Sequence, residues 1–148
     1  MNNDDVSLDE LQEAIQNHFD CLDRSLKDIV PRDLPVITLP ILDRNLYFVH
    51  DVIAITNNAG MGAWIHYHID DRGWIDDAAR AFRAIGHADV AGAIEACAVL
   101  FRAKNGAMAD DDDTQFSRMI WDQEAKMYRS LYDHLKRNGF AFRNRDSL

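Results

Sequence analysis

The chain has 148 residues, 47% of them hydrophobic, and a formal net charge of -9. That length predicts one domain over 1–148, burying roughly two thirds of its unfolded surface without a disulfide or metal staple. No run approaches the ~20 apolar residues of a membrane span, and Met1-Asn2-Asn3-Asp4-Asp5 lacks the basic and apolar regions of a signal peptide, so a soluble cytoplasmic protein is expected.

Ser7 and Glu10 make a capping-box pattern ahead of Leu11, Ile15, Phe19, Leu22, Leu26 and Ile29, which predicts an amphipathic helix over about 7–29. Pro31, Pro35 and Pro40 punctuate a connector whose Val36, Ile37 and Leu39 are expected in extended form against the core, because residues before proline avoid the helical region. Pro40 suits a first helical turn, and Leu42, Leu46, Val49 and Ile53 continue at helical spacing until Asn57-Asn58-Ala59-Gly60 stops the helix. Met61 to His68 carries Trp64, Ile65 and Tyr67 and ends at Asp70-Asp71-Arg72-Gly73. Trp74 opens a further helix through Ile85, with Asp76 and Asp77 at its N-terminal dipole and Gly86 as its stop. From Asp89, the run Val90, Ala93, Ile94, Cys97, Leu100 and Phe101 marks another. Thr114 is the expected cap of one long last helix bearing Phe116, Met119, Ile120, Met127, Leu131 and Leu135, stopped by Gly139. The tail from Phe140 to Leu148 has no clear period and is expected to fray. The reading is all-α, a single compact domain of about six helices.

Asn58-Ala59-Gly60-Met61, Trp64-Ile65, Ala81-Phe82-Arg83-Ala84-Ile85-Gly86 and Ala96 to Phe101 together give a pattern that resembles the family of the bacterial DNA-mimic protein's C-terminal domain. That family shows Asn-Gly-Gly-Phe-x-Gln, an aromatic pair and a later Leu-x-x-Ile-Gly helix end; here Ala59, Met61 and Ala63 stand at the first glycine, phenylalanine and glutamine places. The family-like core runs over about 42–138. The resemblance implies an all-helical fold, no cofactor and, from one characterised member, an acidic surface that competes with DNA for a DNA-binding protein.

Charge carries the functional content. Asp4, Asp5, Asp9, Glu10, Glu13, Asp20 and Asp23 stand in the first 23 residues without a lysine or arginine, and Asp110, Asp111, Asp112 and Asp113 form a second block extended by Asp122 and Glu124. Lys126, Arg129, Lys136, Arg137, Arg143 and Arg145 make the last stretch basic. An acidic face repels phosphates and attracts basic proteins, which disfavours direct nucleic-acid binding. These eleven acids of the two blocks are therefore the candidate partner-binding residues, holding arginines of a basic partner where phosphates would otherwise lie. The bland alternative is that acidity serves solubility alone. The basic last helix makes a second copy of the chain another candidate partner, as a homodimer.

No catalytic motif is present, and no catalytic, metal or cofactor-binding residue is assigned. The alternative is a small metal-dependent enzyme centred on His50, His66 and Asp70, since His66-x-His68-x-Asp70-Asp71 supplies donors that zinc accepts. An immunity- or antitoxin-like protein would use the same acidic surface. Ser130 and His134 can meet at helical spacing, but no orienting acid accompanies them. Ser25 and Ser117 read as exposed helix positions, Trp64, Trp74, Trp121, Tyr67, Tyr128 and Tyr132 as core or core-edge aromatics, and Cys21 and Cys97 as reduced apolar residues.

Overall fold

The computed structural model describes residues 6–27, 38–71 and 73–144, which form seven α-helices with no strand among them. They are α1 (Leu8–Lys27), α2 (Ile41–Ala59), α3 (Met61–His68), α4 (Trp74–Ala84), α5 (Ala88–Ala103), α6 (Asp110–Trp121) and α7 (Glu124–Arg137). Asp4, Asp5, Ile29, Pro31, Pro35, Val36 and Ile37 lie outside the described residues, as does the tail beyond Asn144. None of the described helices is long and apolar enough to cross a membrane.

The first helix starts as its cap predicts: the Glu10 amide donates to Ser7 Oγ at 3.2 Å, and Leu11, Ile15 and Leu22 are buried. α2 exceeds its prediction. Its apolar spacing points to one buried stripe, yet Asn45 through His50 are all buried, because α2 packs against α1, α3, α4, α6 and α7. The middle of α2, packed against five helices, buries polar residues too, and Asn45, His50 and Thr56 go in with Leu46, Phe48 and Ile53.

Between α2 and α3 the chain breaks at Gly60 alone. Its φ of +91° and ψ of 159° belong to a region that essentially only glycine enters, and its amide closes α2 on the Thr56 carbonyl at 2.9 Å. α3 begins at the next residue.

The expected single last helix is two. α6 starts at Asp110, so the aspartate run forms its first turn and Thr114 sits inside the helix, where it caps nothing. Four carboxylates in a first turn complement the positive helix end, so they favour helix where a loop was expected. The break falls at Asp122-Gln123, where the Gln123 side chain reaches Asp89 at the start of α5, at 3.0 Å. The turn lets α6 pack on α3 and α5 while α7 packs on α1. This division is the seventh helix.

The tail does not fray over its described part. After α7 the Phe140 amide bonds the Leu135 carbonyl at 3.0 Å and the Gly139 amide bonds Lys136, a Schellman closure that needs the φ of +75° at Gly139 and sends the chain back toward α1. There the Arg143 amide donates to His18 Nδ1 at 2.9 Å, so His18 carries its proton on Nε2 and donates to Asp43 Oδ1 at 2.7 Å. Phe140 packs edge-on against the His18 ring and Phe142 stacks on Tyr132. Aromatic anchors at alternate residues of an extended strap have no helical period, which is why the tail looked structureless.

Candidate functional site

Three polar constellations surround α2. The first is a cleft of about 300 Å³ where α1 and α7 lie against it, lined by Gln12, Glu13, Gln16, His50, Glu124 and Tyr128. Helical spacing builds both walls: Gln12 and Gln16 are one turn apart beside the buried Leu11 and Ile15, and Glu124 and Tyr128 are one turn apart on α7. At the floor, His50 Nδ1 and the Tyr128 hydroxyl are 2.9 Å apart, and the Phe19 ring covers the imidazole with centroids at 4.6 Å. Burial pushes the His50 imidazole down to about 4, with Asp20 opposing it, and burial together with Glu124 pushes the Tyr128 phenol up. Both groups are therefore neutral near pH 7. Glu124 accepts from Asn57 Nδ2 at 3.0 Å, which ties this wall to the last turn of α2.

The second constellation lies where α3 and α4 meet α2. Trp64 Nε1 donates to Asp51 Oδ2 at 3.0 Å; His68 sets Nδ1 2.9 Å from Asp71 and Nε2 3.8 Å from Asp51, with its ring stacked flat on Trp74 at 4.2 Å. Burial raises the Asp51 carboxyl, and the Trp64 bond and His68 lower it. Trp74 Nε1 is buried without a hydrogen-bond partner among the described residues.

The third sits at the start of α6. Asp113 Oδ1 accepts the Gly62 amide at 2.7 Å and Ser117 Oγ accepts the Met61 amide at 2.9 Å, so two side chains of α6 cap the first turn of α3. Ser117 is accordingly buried, against the exposed position expected from sequence. Asp112 pairs with Lys104 at 3.5 Å, and Asp110 borders a notch of about 200 Å³ with His66, Phe101 and Met108.

The candidate acids thus divide. Asp9, Glu10, Glu13, Asp110 and Asp111 are exposed; Asp20 and Asp23 are half-buried, Asp20 holding Gln16 at 2.9 Å and Asp23 accepting the Tyr47 hydroxyl at 3.5 Å. Asp112 and Asp113 are half-buried in the contacts just described, and Asp4 and Asp5 lie outside the described residues. α1 and α6 share α2 as a neighbour, and the α2 end carries Asn57, bonded to Glu124, one turn before Gly60, against which Asp113 lies. His50, His66 and Asp70 do not gather: His50 floors the α1 cleft, His66 borders the α6 notch and Asp70 is exposed in the turn after α3. Among the described residues no three His, Cys, Asp or Glu side chains are grouped to hold a metal ion.

Other sequence pairings are corrected. Ser130 faces His87, with Oγ 2.9 Å from Nε2, instead of His134. Tyr67 and Trp121 are exposed at 66% and 43%, so neither is a core aromatic. Cys21 and Cys97 are free and buried, and burial with Asp113 nearby pushes the Cys97 thiol up to about 12, which leaves it inert as a nucleophile. Sequence reasoning missed the His50–Tyr128 floor, whose members are 78 positions apart; the only local signal was the Glu124/Tyr128 spacing on one helix face.

Compared with family models, curated proteins and solved structures, the chain matches none.

Proposed function

We propose that this protein is a non-catalytic binding module that presents carboxylates to a basic protein partner in the cytoplasm, in the manner of a DNA mimic occupying the DNA-binding surface of a transcription regulator. The observation that carries the reading is the placement of Glu13 and Glu124, from helices far apart in the chain, on one open cleft. Asn57 links Glu124 to the α2 end where the aspartate run begins α6. Exposed Asp9, Glu10, Asp110 and Asp111 have no buried structural task and are available to a partner's arginines. The resemblance to the DNA-mimic family points the same way. An immunity- or antitoxin-like role would employ the same surface on a different basic protein.

The test is capture of a basic partner from lysate at low and high salt, followed by competition with duplex DNA bearing the partner's own site. The reading expects capture that weakens at high salt and is displaced by the duplex, because screening shortens the field's reach to about 8 Å at physiological ionic strength. Capture insensitive to salt, or a partner that holds DNA and this protein together, would end it.

A further inference from the structure

The outward face of α5 is apolar and uncovered. Between Val90 and Phe101 this helix carries one charged residue, Glu95, so apolar side chains lie on every side of it. A helix of that pattern is ordinarily buried all round. Here one side packs on α3, α4 and α6, while Gly92, Ala96, Val99 and Ala103 are exposed, Val99 at 65%, with Leu100 half-exposed beside them. Gly92 supplies a second, independent observation. A glycine inside a helix weakens it, and a Cβ built at Gly92 would meet nothing within 4 Å, so no contact within this chain calls for the bare position. Close approach by the backbone of another molecule does.

We propose that this face is a weak homodimer interface, in which α5 packs antiparallel on α5 of a second copy. Gly92, Ala96, Val99 and Ala103 recur at intervals of four, three and four, the seam spacing of paired helices. Packed antiparallel, they layer Ala96 on Val99 of the second copy and Gly92 on its Ala103, each layer repeated by the two-fold axis. Residues this small let the helix axes close to about 8 Å. Charge decides both the occupant and the orientation. Glu95 and Arg102 are one heptad apart on the same edge of the seam, so antiparallel packing sets Glu95 against Arg102 of the second copy and Arg102 against its Glu95. Parallel packing would set Glu95 against Leu100. The Arg102 guanidinium is exposed and has no ion-pair partner among the described residues, and Glu95, bonded to Arg83, keeps acceptor sites for a second guanidinium. About three turns of helix per copy bury less than the roughly 1,200 Å² of a stable complex, so association belongs in the range of ~10–100 µM. The inference does not depend on the acidic-surface reading: α1 packs on α2 and α7, away from this face, and its acids stay free in the dimer.

Sedimentation equilibrium of the full chain at physiological salt, from about 5 to about 500 µM, tests this. The average mass should rise from 16.9 kDa toward twice that value. Gly92→Gln should raise the urea midpoint of dilute protein, because it replaces a helix-interior glycine in open space, and yet weaken association at least about tenfold. Arg102→Glu and Glu95→Arg each set like charges together across the seam, so each variant alone should associate at least about tenfold more weakly than wild type. An equimolar mixture of the two restores both ion pairs in a heterodimer and should recover most of the association. A monomer at every concentration would overturn the inference. So would association that Gly92→Gln leaves unchanged, or that the mixture fails to recover while both variants keep their urea midpoints, since either would place the contact on another face.

Discussion

Asp113 accepts the backbone amide of Gly62 at 2.7 Å across 51 residues of sequence, and so belongs to the capping of α3 as much as to the acidic run that contains it. Gly60 and Gly62 are bare because the carboxylate occupies the space beside them: a Cβ on Gly62 would meet Asp113 Oδ1 at 3.0 Å, and one on Gly60 would strike the same carboxylate. A buried helix start has amides that water cannot reach, and α6 supplies their acceptors.

Asp113→Ala should destabilise the fold by about 1–2 kcal/mol, the usual range for removing a capping carboxylate, and Ser117→Ala by about 1 kcal/mol. Asp110→Ala, exposed in the same turn, should change stability by less than about 0.5 kcal/mol. Urea unfolding midpoints of the three variants check this contrast. Equal effects at 110 and 113 would mean that the helix dipole alone explains the run.

Gly60→Ala combines a glycine-only backbone conformation with a clash, and should cost about 2–3 kcal/mol. In the double variant Gly60→Ala/Asp113→Ala the clash is gone while the backbone strain remains. The combined loss should therefore fall short of the sum of the two single losses by about 1 kcal/mol or more, measured as a double-mutant cycle in urea. Strict additivity would show that the carboxylate and the glycine do not touch in solution.

His50 gives the fold a pH dependence whose direction follows from its depressed basicity. The folded imidazole titrates at about 4 and the unfolded one near its ordinary 6.5, so between those values the unfolded chain binds the extra proton. The contribution is complete above about pH 6.5 and is lost as pH falls toward 4, about 3 kcal/mol over the whole window. Asp51 acts in the opposite sense: its raised carboxyl stabilises the fold most at low pH and less as pH rises through its folded value. Comparing wild type with His50→Gln isolates the histidine, because Asp51 is common to both. Wild-type stability should fall more steeply than the variant's from pH 6.5 to 4; parallel curves would show that His50 titrates normally.

The strap formed by Phe140 to Asn144 should protect the Arg143 amide from hydrogen exchange, since that amide is bonded to a buried imidazole. Phe142→Ala removes the ring stacked on Tyr132 and beneath the Lys136 ammonium, and should cost about 1–2 kcal/mol, below the range for a fully buried phenylalanine because Phe142 is half-exposed. The same variant should accelerate Arg143 exchange by more than tenfold. Rapid exchange in wild type would place the strap off the α1 surface.

The helix starts and stops were legible because they rest on neighbours in sequence. Ser7 capping α1, Gly86 after α4 and Gly139 after α7 act within one turn of chain, and each does its work where the pattern predicts; Pro40, expected in the first turn of α2, is instead its extended N-cap, one position earlier. The α6/α7 break was not legible, because Gln123 turns toward Asp89, a partner 34 residues away. The candidate acids could be named but not sorted: nothing local distinguishes Asp113, facing the Gly62 amide, from Asp111, facing water.

By itself the order of residues determined an all-helical chain whose first 23 residues carry acids and no lysine or arginine, since backbone hydrogen bonding, capping and charge are properties of residues and their near neighbours. Packing decided what those charges border. Packing five helices around the middle of α2 brought His50 to Tyr128 and opened a cleft with Glu13 and Glu124 on its walls, and the same packing turned Asp113 and Ser117 onto α3. Such pairings depend on which helices share a face, and that is set by burying apolar surface across the whole core, a sum that no short stretch of sequence contains.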